Sequence, residues 1–162
     1  MPYTARQATL EDLDTIVRHR YLLFAEIGHG DQAVMKAGKT PYTAWLRERL
    51  LNRRYQGWLM ETASGEVVAG VGLWLMEWPV GVVDLVPYRG YVFNVWTEPA
   101  HRRKGLSRQL MGMLLEACRE QGIRRVCLHA SDAGRKLYEV LGFTPNNEMM
   151  ISLPAPAAPA PH

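Results

Sequence analysis

The chain has 162 residues, of which 48% are hydrophobic and 22% are charged, and its formal net charge is +3. These values are typical of one globular domain that buries its core without metal or disulfide support. They argue against a membrane protein, because no apolar run approaches the roughly 20 residues that a membrane helix needs. The N-terminus lacks the basic flank and apolar stretch of a secretion signal, so we expect a cytoplasmic location.

Two helices are predicted in the first third of the chain. Residues 9–28, TLEDLDTIVRHRYLLFAEIG, begin like a capping box and continue with apolar residues at helical spacing. Residues 40–52, TPYTAWLRERLLN, predict a second helix with Thr40 as its N-cap and Pro41 in the first helical position. The polar, glycine-containing residues 29–39 are interpreted as the connection between them.

Three strands are predicted next. YQGWLMET at 55–62 and EVVAGVGLWLMEW at 66–78 are joined by the short segment ASG, which is typical of a hairpin. YVFNVWT at 91–97 is rich in β-branched and aromatic residues, as strands are. The residues between the second and third strands, 79–90, are predicted to form a loop.

In the last third of the chain the apolar spacing changes from that of strands to that of helices. One helix face begins at Leu106, and the helix stops at Gly122. The sequence then predicts a strand at 124–131, a short helix at 132–142 and a last strand, EMMISL, at 148–153. The element order β-α-α-β-β-β-α-β-α-β predicts a mixed sheet covered by helices.

We expect residues 1–153 to form a single domain. The Pro/Ala-rich residues 154–162 can neither supply strand hydrogen bonds nor continue a helix, so they are predicted to be an extended, mobile tail. The two cysteines, Cys118 and Cys127, lie in apolar segments and are interpreted as reduced core residues. Neither lies at a spacing that suggests a metal site.

Positive charge is concentrated in residues 101–136, which hold nine Arg or Lys against three acidic residues, a net charge of +6, whereas the rest of the chain carries −3. A localised positive field predicts a localised anionic partner. It differs from the diffuse basic coating that is typical of nucleic-acid-binding proteins. Nucleic acid is therefore the disfavoured partner.

The densest part of this segment, HRRKGLSRQL at 101–110, lies where a predicted strand passes into a helix. A helix that opens near Gly105 has unpaired backbone N–H groups and a positive dipole end, and Gly105 lets an anion approach the backbone closely. Ser107 can add a hydroxyl donor. Positive charge comes from four neighbours: Arg102, Arg103, Lys104 and Arg108. Together these features predict a phosphate or pyrophosphate site, although the Walker and Rossmann motifs are absent from the sequence.

The run R-x-x-G-x-S at 102–107, preceded by V-x-T-x-P, resembles the GNAT superfamily of N-acetyltransferases, whose signature is [QR]-x-x-G-x-[GA] after a strand. A second segment, SDAGRKLYEVLGF at 131–143, is similar to the N-x-x-A-x-x-L-Y-x-x-x-G-F segment of that family. The specific resemblance covers residues 91–153. The departures from the family pattern are small-for-small changes at three positions: Ser107, Ser131 and Gly134.

The resemblance implies an α+β fold in three layers (α/β/α), with a mixed, mostly antiparallel central sheet of six to seven strands flanked by about four helices. It also implies that the loop amides bind the pyrophosphate of acetyl-CoA, a cosubstrate that is used without a metal. Backbone groups of Val95 and Thr97 would pair with the amides of the pantetheine arm. The coenzyme-binding residues implied in this way are Val95, Thr97, Arg102, Arg103, Lys104, Gly105, Leu106, Ser107 and Ser131.

The implied chemistry depends on a bulge in the strand FNVWT and on one tyrosine. The bulge would direct a backbone N–H near Val95 at the thioester carbonyl, where it stabilises the oxyanion as a primary amine attacks. Tyr138 corresponds to the tyrosine that protonates the departing thiolate. Its helical spacing with Leu137 and Leu141 is also typical of a core residue. The acceptor amine would be carried by a small molecule or by a protein.

Several alternatives are left open by the sequence. The general base is one of Glu98, Glu26, His29, His129 or a chain of water molecules. Trp74, Met76 and Trp78 alternate along a strand, which favours a packed core face over an acceptor pocket. A homodimer is a further open alternative. Two other functions are a CoA-binding regulatory domain without turnover, which shares the phosphate site, and a basic nucleic-acid-binding module.

Overall fold

The computed structural model describes residues 2–82 and 84–153, so the predicted tail at 154–162 lies outside the described residues. A five-stranded sheet with the order β1-β2-β3-β4-β5 forms its centre. The strands are β1 (Tyr3–Gln7), β2 (Tyr55–Thr62), β3 (Val67–Glu77), β4 (Tyr88–Thr97) and β5 (Val126–Leu128). Neighbours from β1 to β4 are antiparallel and β5 is parallel to β4, which confirms the mixed, mostly antiparallel sheet.

Four α-helices cover both faces of this sheet, as predicted. They are α1 (Leu13–Ile27), α2 (Gln32–Leu51), α3 (Leu106–Glu120) and α4 (Asp132–Val140). Successive residues of a strand point to opposite faces, and β4 shows this directly. Val92 belongs to the core beneath α3 and α4, whereas Phe93 packs in the core beneath α1 and α2. The three-layer α+β architecture is therefore confirmed.

The first helical segment begins and ends at the residues that its sequence indicates. Thr9 and Asp12 form a capping box at a short 3-10 turn that leads into α1, and Gly28 ends α1 with a φ of 71°. Arg6 pairs with Asp12 at 2.7 Å. Burial would raise the pKa of Asp12, but the hydrogen bonds from Arg6 and Thr9 together with the charge of Arg6 outweigh burial and lower it. The start of α1 is thereby tied to β1.

The predicted start of the second helix is wrong. α2 begins at Gln32, with Asp31 as its N-cap accepting a hydrogen bond from the backbone of Val34 at 2.8 Å. Pro41 lies inside the helix, where it supplies no backbone N–H donor. Proline is favoured in the first turn of a helix but is tolerated elsewhere when the flanking turns are stable. The N-cap Asp31, nine residues upstream of Thr40, therefore sets the start of the helix and overrides the signal of Pro41. Residues 29–39 are therefore mostly helical rather than a connection.

The predicted last strand at 148–153 is also wrong, and the sheet has five strands rather than six or seven. This segment contains no regular secondary structure. Its apolar side chains are exposed, from 78% at Leu153 to 95% at Met149. A strand needs a neighbour for its backbone hydrogen bonds, and β5 offers only the three residues Val126–Leu128. Within the described residues, no helix combines the length and the apolarity that crossing a membrane requires.

The separation of β4 from β5 is the feature of the fold that creates a site. The two strands pair only from Gly90–Val126 to Val92–Leu128. Beyond these pairs β4 continues to Thr97, while the chain after β5 turns into α4. The sheet is therefore split at one end, and α1 and α2 lie over the split.

Candidate active site

A cavity of about 670 Å³ opens at this split. We divide its wall into two parts by the elements that supply it. The strand half is lined by Val92, Asn94, Val95, His129, Ala130, Ser131 and Tyr138. The aromatic half is lined by Arg20, Leu23, Phe24, Ile27, His29, Pro41, Tyr42, Trp45, Trp74, Tyr91 and Phe93. The volume lies within the range of roughly 300–1,000 Å³ that small-molecule sites occupy.

The start of α3 has the geometry that an anion site requires. Gly105 is its N-cap with a φ of 78° and supplies no side-chain cap. A Cβ built on Gly105 would meet no heavy atom within 4 Å, so the backbone here faces open space. The first amides of the 15-residue helix α3 are therefore accessible to a ligand and lie at the positive end of the helix dipole. The start of α3 is therefore a candidate anion site.

Most side chains of the basic loop hold the loop rather than project from it. Arg102 donates to the Thr97 carbonyl at 2.9 Å and to Glu26 Oε2 at 2.5 Å. Lys104 donates to the Tyr3 hydroxyl at 3.0 Å, and the hydroxyls of Ser107 and Thr97 lie 2.8 Å apart. The loop is thereby fixed to α1, β1 and β4, so its backbone amides are pre-positioned.

The remaining loop residues differ in what they can offer a ligand. The side chain of Leu106 is buried in the core, so only its backbone can contact an anion. Arg103 and Arg108 are exposed, and Arg103 has a φ of 60°, in the left-handed region. These two side chains are therefore open to solvent at the start of α3.

The bulge that the family resemblance implied is present in β4. Gly70 of β3 faces Trp96 and Gly72 faces Phe93, so one β3 residue lies opposite two of β4. Asn94 has a φ of 55°, a conformation that asparagine tolerates better than most residues. Its side chain is 4% exposed. The bulge interrupts the ladder immediately before Val95.

The side chain of Asn94 fixes this bulge to the helices above it. Its Nδ2 donates to the Tyr42 hydroxyl at 2.8 Å, and its Oδ1 accepts from Arg20 Nη1 at 3.0 Å. Both partners lie in the aromatic half of the cavity. The two halves therefore meet at Asn94.

Tyr138 lies on α4 and lines the strand half while packing in the core. It is 8% exposed, and burial raises the pKa of its hydroxyl. Gly134 makes room for the ring, because a Cβ at this position would come within 2.8 Å of Tyr138 Cε2. The departure from the family pattern at Gly134 therefore has a steric explanation. Ser131 caps α4 by accepting from the Gly134 amide at 3.2 Å.

The structure separates the open candidates for the general base. His29 and His129 line the cavity. Glu98 lies 2.8 Å from Arg18 and Glu26 is paired with Arg102, and neither carboxylate belongs to the cavity wall. His129 Nδ1 is hydrogen-bonded to the Tyr91 hydroxyl at 2.5 Å. Among the described residues, no cluster of three or more His, Cys, Asp or Glu could hold a metal ion.

The aromatic half consists of rings in continuous contact. Trp45 stacks on Tyr42 with a centroid distance of 5.9 Å and meets Trp74 edge-on at 5.2 Å. Trp74 therefore lines the cavity, so its assignment to a packed core was wrong. Trp78 is 43% exposed, and Arg89 stacks over its ring at 3.6 Å, so it is not a core residue either.

Sequence reasoning missed Arg20, Tyr42, Trp45 and Phe93 as site residues. They come from α1, α2 and β4, and each occupies a position whose spacing is also that of an ordinary core face. Only the packing of the two helices over the split sheet brings them together. Local sequence carried no signal for this.

Comparisons with known proteins agree with this geometry. A family model described as the acetyltransferase (GNAT) family matches residues 24–143. A solved GCN5-related N-acetyltransferase from Ralstonia eutropha is 35% identical, with a TM-score of 0.87, over 94% of this chain and 99% of that one. No curated protein matches the chain significantly.

Two more distant structures share the fold. A predicted acetyltransferase from Clostridium acetobutylicum, solved with acetyl-CoA, is 22% identical, with a TM-score of 0.86, over 94% of this chain and 96% of that one. An aminoglycoside acetyltransferase from an uncultured soil metagenomic sample is 18% identical, with a TM-score of 0.69, over 98% of this chain and 100% of that one. At these identities the likeness establishes the architecture alone.

Proposed function

Because the chain belongs to the GNAT family of acetyltransferases, we propose that it is an acetyl-CoA-dependent N-acetyltransferase. It would transfer the acetyl group to a primary amine by direct attack, without an acyl-enzyme. The observation that carries this proposal is the open start of α3 at Gly105 beside a split sheet whose cavity contains Tyr138. In this proposal the phosphate site at the start of α3, the split between β4 and β5 and the proton donor Tyr138 follow one another along the bound coenzyme.

In this proposal the loop residues 102–107 bind the pyrophosphate of acetyl-CoA through their backbone amides. Arg102 and Lys104 are engaged by protein groups, so they contribute positive charge, whereas Arg103 can form direct contacts. Backbone groups of Val95 and Thr97 would bind the pantetheine arm, with Ser131 on the opposite side of the split. The strand half of the cavity supports this because Val95 and Ser131 both line it.

Acetyl-CoA supplies the activated acetyl group as a thioester. The backbone N–H at the Val95 bulge stabilises the negative charge that develops on the carbonyl oxygen. Tyr138 donates its proton to the departing sulfur. The Tyr138 hydroxyl carries its proton at neutral pH, and burial raises its pKa further, so it has a proton to donate to the departing thiolate.

We assign the base role to His129. It lies in the wall of the same cavity as Tyr138, and the Tyr91 hydroxyl fixes its Nδ1. With the hydrogen on Nδ1 donated to the Tyr91 hydroxyl, Nε2 can accept a proton from the substrate ammonium group, which then attacks as a neutral amine. An His129→Ala variant should lose at least about tenfold in kcat and recover part of it with added imidazole. A loss without recovery, at unchanged CoA affinity, would remove His129 from this role.

Thiol release from acetyl-CoA in the presence of an amine panel tests the whole proposal. The expected result is amine-dependent release that free CoA inhibits competitively against acetyl-CoA. A regulatory domain without turnover would bind CoA and release no thiol with any amine. A nucleic-acid-binding module would bind DNA or RNA with a steep salt dependence and ignore CoA.

A further inference from the structure

We propose that the acceptor of this enzyme is an α-amino acid with a large apolar or aromatic side chain, whose carboxylate is held by Arg20. This inference rests on the proposed function, because it names the amine that the same cavity takes. Arg20 lies on α1 and projects into the aromatic half. Its surroundings, rather than its presence alone, carry the argument.

Among the residues that the structure describes, Arg20 differs from its neighbours Arg18 and Arg102 in having no carboxylate partner. Arg18, two positions earlier on α1, lies 2.8 Å from Glu98, and Arg102 lies 2.5 Å from Glu26. None of the ion pairs in residues 2–82 and 84–153 involves Arg20. A half-buried guanidinium in such a position favours a negatively charged ligand.

The guanidinium is nevertheless held firmly in place. Its carbon lies 4.5 Å from the ring centroids of both Phe24 and Tyr42, and its Nη1 donates to Asn94. A guanidinium has five N–H donors, and the hydrogen bond to Asn94 uses one of them. Arg20 therefore offers a fixed set of donors that suits a carboxylate.

The rest of the cavity wall argues against a cationic acceptor. No aspartate or glutamate is among the described residues that line it. A diamine or polyamine would bring a second ammonium group beside the Arg20 guanidinium, with no carboxylate to pair with it. Two positive charges placed close together destabilise the complex. The wall is instead aromatic, with Trp45 in contact with both Trp74 and Phe93, and it favours an apolar side chain.

The position of Arg20 relative to the bulge specifies an α-amino acid. Arg20 is hydrogen-bonded to Asn94, the residue immediately before the proposed Val95 oxyanion group. In an α-amino acid the amine is separated from the carboxylate carbon by a single carbon atom. A carboxylate on Arg20 therefore places the α-amine beside the bulge, while the side chain extends along Trp45 and Trp74.

In the proposed reaction the acetyl group passes from sulfur to the α-nitrogen of the amino acid. The α-ammonium group first gives one proton to His129, and the neutral amine then forms a bond to the acetyl carbon while the bond between that carbon and sulfur breaks. The sulfur leaves with the electron pair and takes the proton of Tyr138. The second proton that the nitrogen loses as the amide forms restores the Tyr138 hydroxyl, and the product is an N-acetylamino acid whose carboxylate remains on Arg20.

The test compares L-phenylalanine with L-phenylalaninamide, which replaces only the carboxylate by a neutral amide, and includes spermidine and L-alanine. In the wild-type enzyme, kcat/KM for thiol release should be at least about tenfold higher for phenylalanine than for its amide. Arg20→Gln should bring this ratio close to one. Arg18→Gln, on the same helix but outside the cavity, is the matched control and should preserve the ratio.

A binding measurement makes the test independent of turnover. Phenylalanine should raise the melting temperature of the CoA complex of the wild type and of Arg18→Gln, but not of Arg20→Gln. An unchanged CoA dissociation constant in Arg20→Gln shows that this variant is folded. If no amine releases thiol while phenylalanine still binds through Arg20, the proposed function fails and the carboxylate site stands.

Opposite results would overturn the inference and leave the acetyltransferase proposal intact. These are turnover of spermidine or phenylalaninamide that equals or exceeds that of phenylalanine, or a phenylalanine preference that survives Arg20→Gln. Turnover of alanine at the rate of phenylalanine would contradict the role of the aromatic wall.

Discussion

Under the proposed function, the basic loop at the start of α3 and the aromatic half of the cavity would recognise their ligands by different means. The loop is a run of consecutive residues, 102–108, and it presents backbone amides around Gly105. The aromatic half is assembled from side chains of α1, α2, β3 and β4. A site made of backbone tolerates changes of many side chains, whereas a site made of side chains changes its ligand with each substitution. One family can thus keep its coenzyme while its members differ in their acceptors.

The largest expected effect is on CoA binding at the backbone amides around Gly105. Gly105→Glu should weaken CoA binding by more than about 100-fold, because a carboxylate would enter the phosphate site and like charges in contact cost several kcal/mol. Isothermal titration with CoA measures this loss.

Gly105→Ala is the matched control for that variant. Its methyl group meets no protein atom within 4 Å and brings no negative charge, so CoA affinity should fall much less than in the glutamate variant. Both variants pay about 1–2 kcal/mol of stability for a non-glycine residue at positive φ. Equal CoA affinities for the glutamate and alanine variants would contradict the phosphate site.

Tyr138→Phe should separate chemistry from binding in the strand half. We expect kcat to fall by about 100-fold, whereas the dissociation constant of CoA should change less than about twofold. The phenyl ring keeps the packing against Phe143, so the melting temperature should hardly change. Wild-type kcat in this variant would leave Tyr138 with its core role alone.

Trp45→Leu should weaken acceptor binding in the aromatic half rather than slow the chemical step. We expect the KM for the acceptor to rise about tenfold, with CoA affinity unchanged, because a stacked ring contact is lost. Trp78→Leu is the matched control, since Trp78 lies outside the cavity wall. A rise in KM of the same size in both variants would mean that Trp45 acts through overall stability.

The smallest difference between the two regions is expected for a change in pH, because it acts on helix α1, which supports both the loop and the aromatic half. His19 on α1 is 1% exposed, and burial, with help from Arg18 and against Glu98, lowers its pKa from 6.5 to about 4. As pH falls from 6.5 to 4, His19 therefore takes up a proton in the unfolded chain before it does so in the folded protein. The free energy of unfolding should decrease by about 3 kcal/mol over this interval.

Urea unfolding at pH 7 and pH 4 measures the contribution of His19. His19→Gln should flatten the dependence in this interval by the same amount, because glutamine does not titrate. The paired carboxylate of Asp12 titrates in a lower window, since its pKa lies below 3.8. An unaltered slope in the glutamine variant would assign the effect to another group.

The sequence correctly predicted those elements whose determining residues lie in one continuous segment of the chain. β2 has the predicted bounds of Tyr55–Thr62, and α3 begins at Leu106 directly after the glycine that marked its start. The hairpin turn and the basic loop depend on neighbouring residues, so both could be recognised from local chemistry. The bulge depends on the pairing of β3 with β4, and only the family resemblance implied it.

One error came from two competing local signals: Pro41 gave a strong start signal, but the helix begins at the upstream N-cap Asp31. The other errors occurred where distant packing decides. The apolar segment 148–153 could pair as a strand only if β5 were longer. Arg20 and Trp45 became site residues because α1 and α2 cross the split, and no spacing in the sequence encodes that crossing.

Past Val92 and Leu128, the facing edges of β4 and β5 lack a common ladder among the described residues. Peptide groups on such edges exchange their hydrogens with water more readily than groups inside a sheet. A bound molecule with two amides in series can imitate a missing length of polypeptide and join the edges. Under the proposed function, the pantetheine arm would act as that surrogate strand, and deuterium uptake at residues 93–95 and 129–131 should slow when CoA is added.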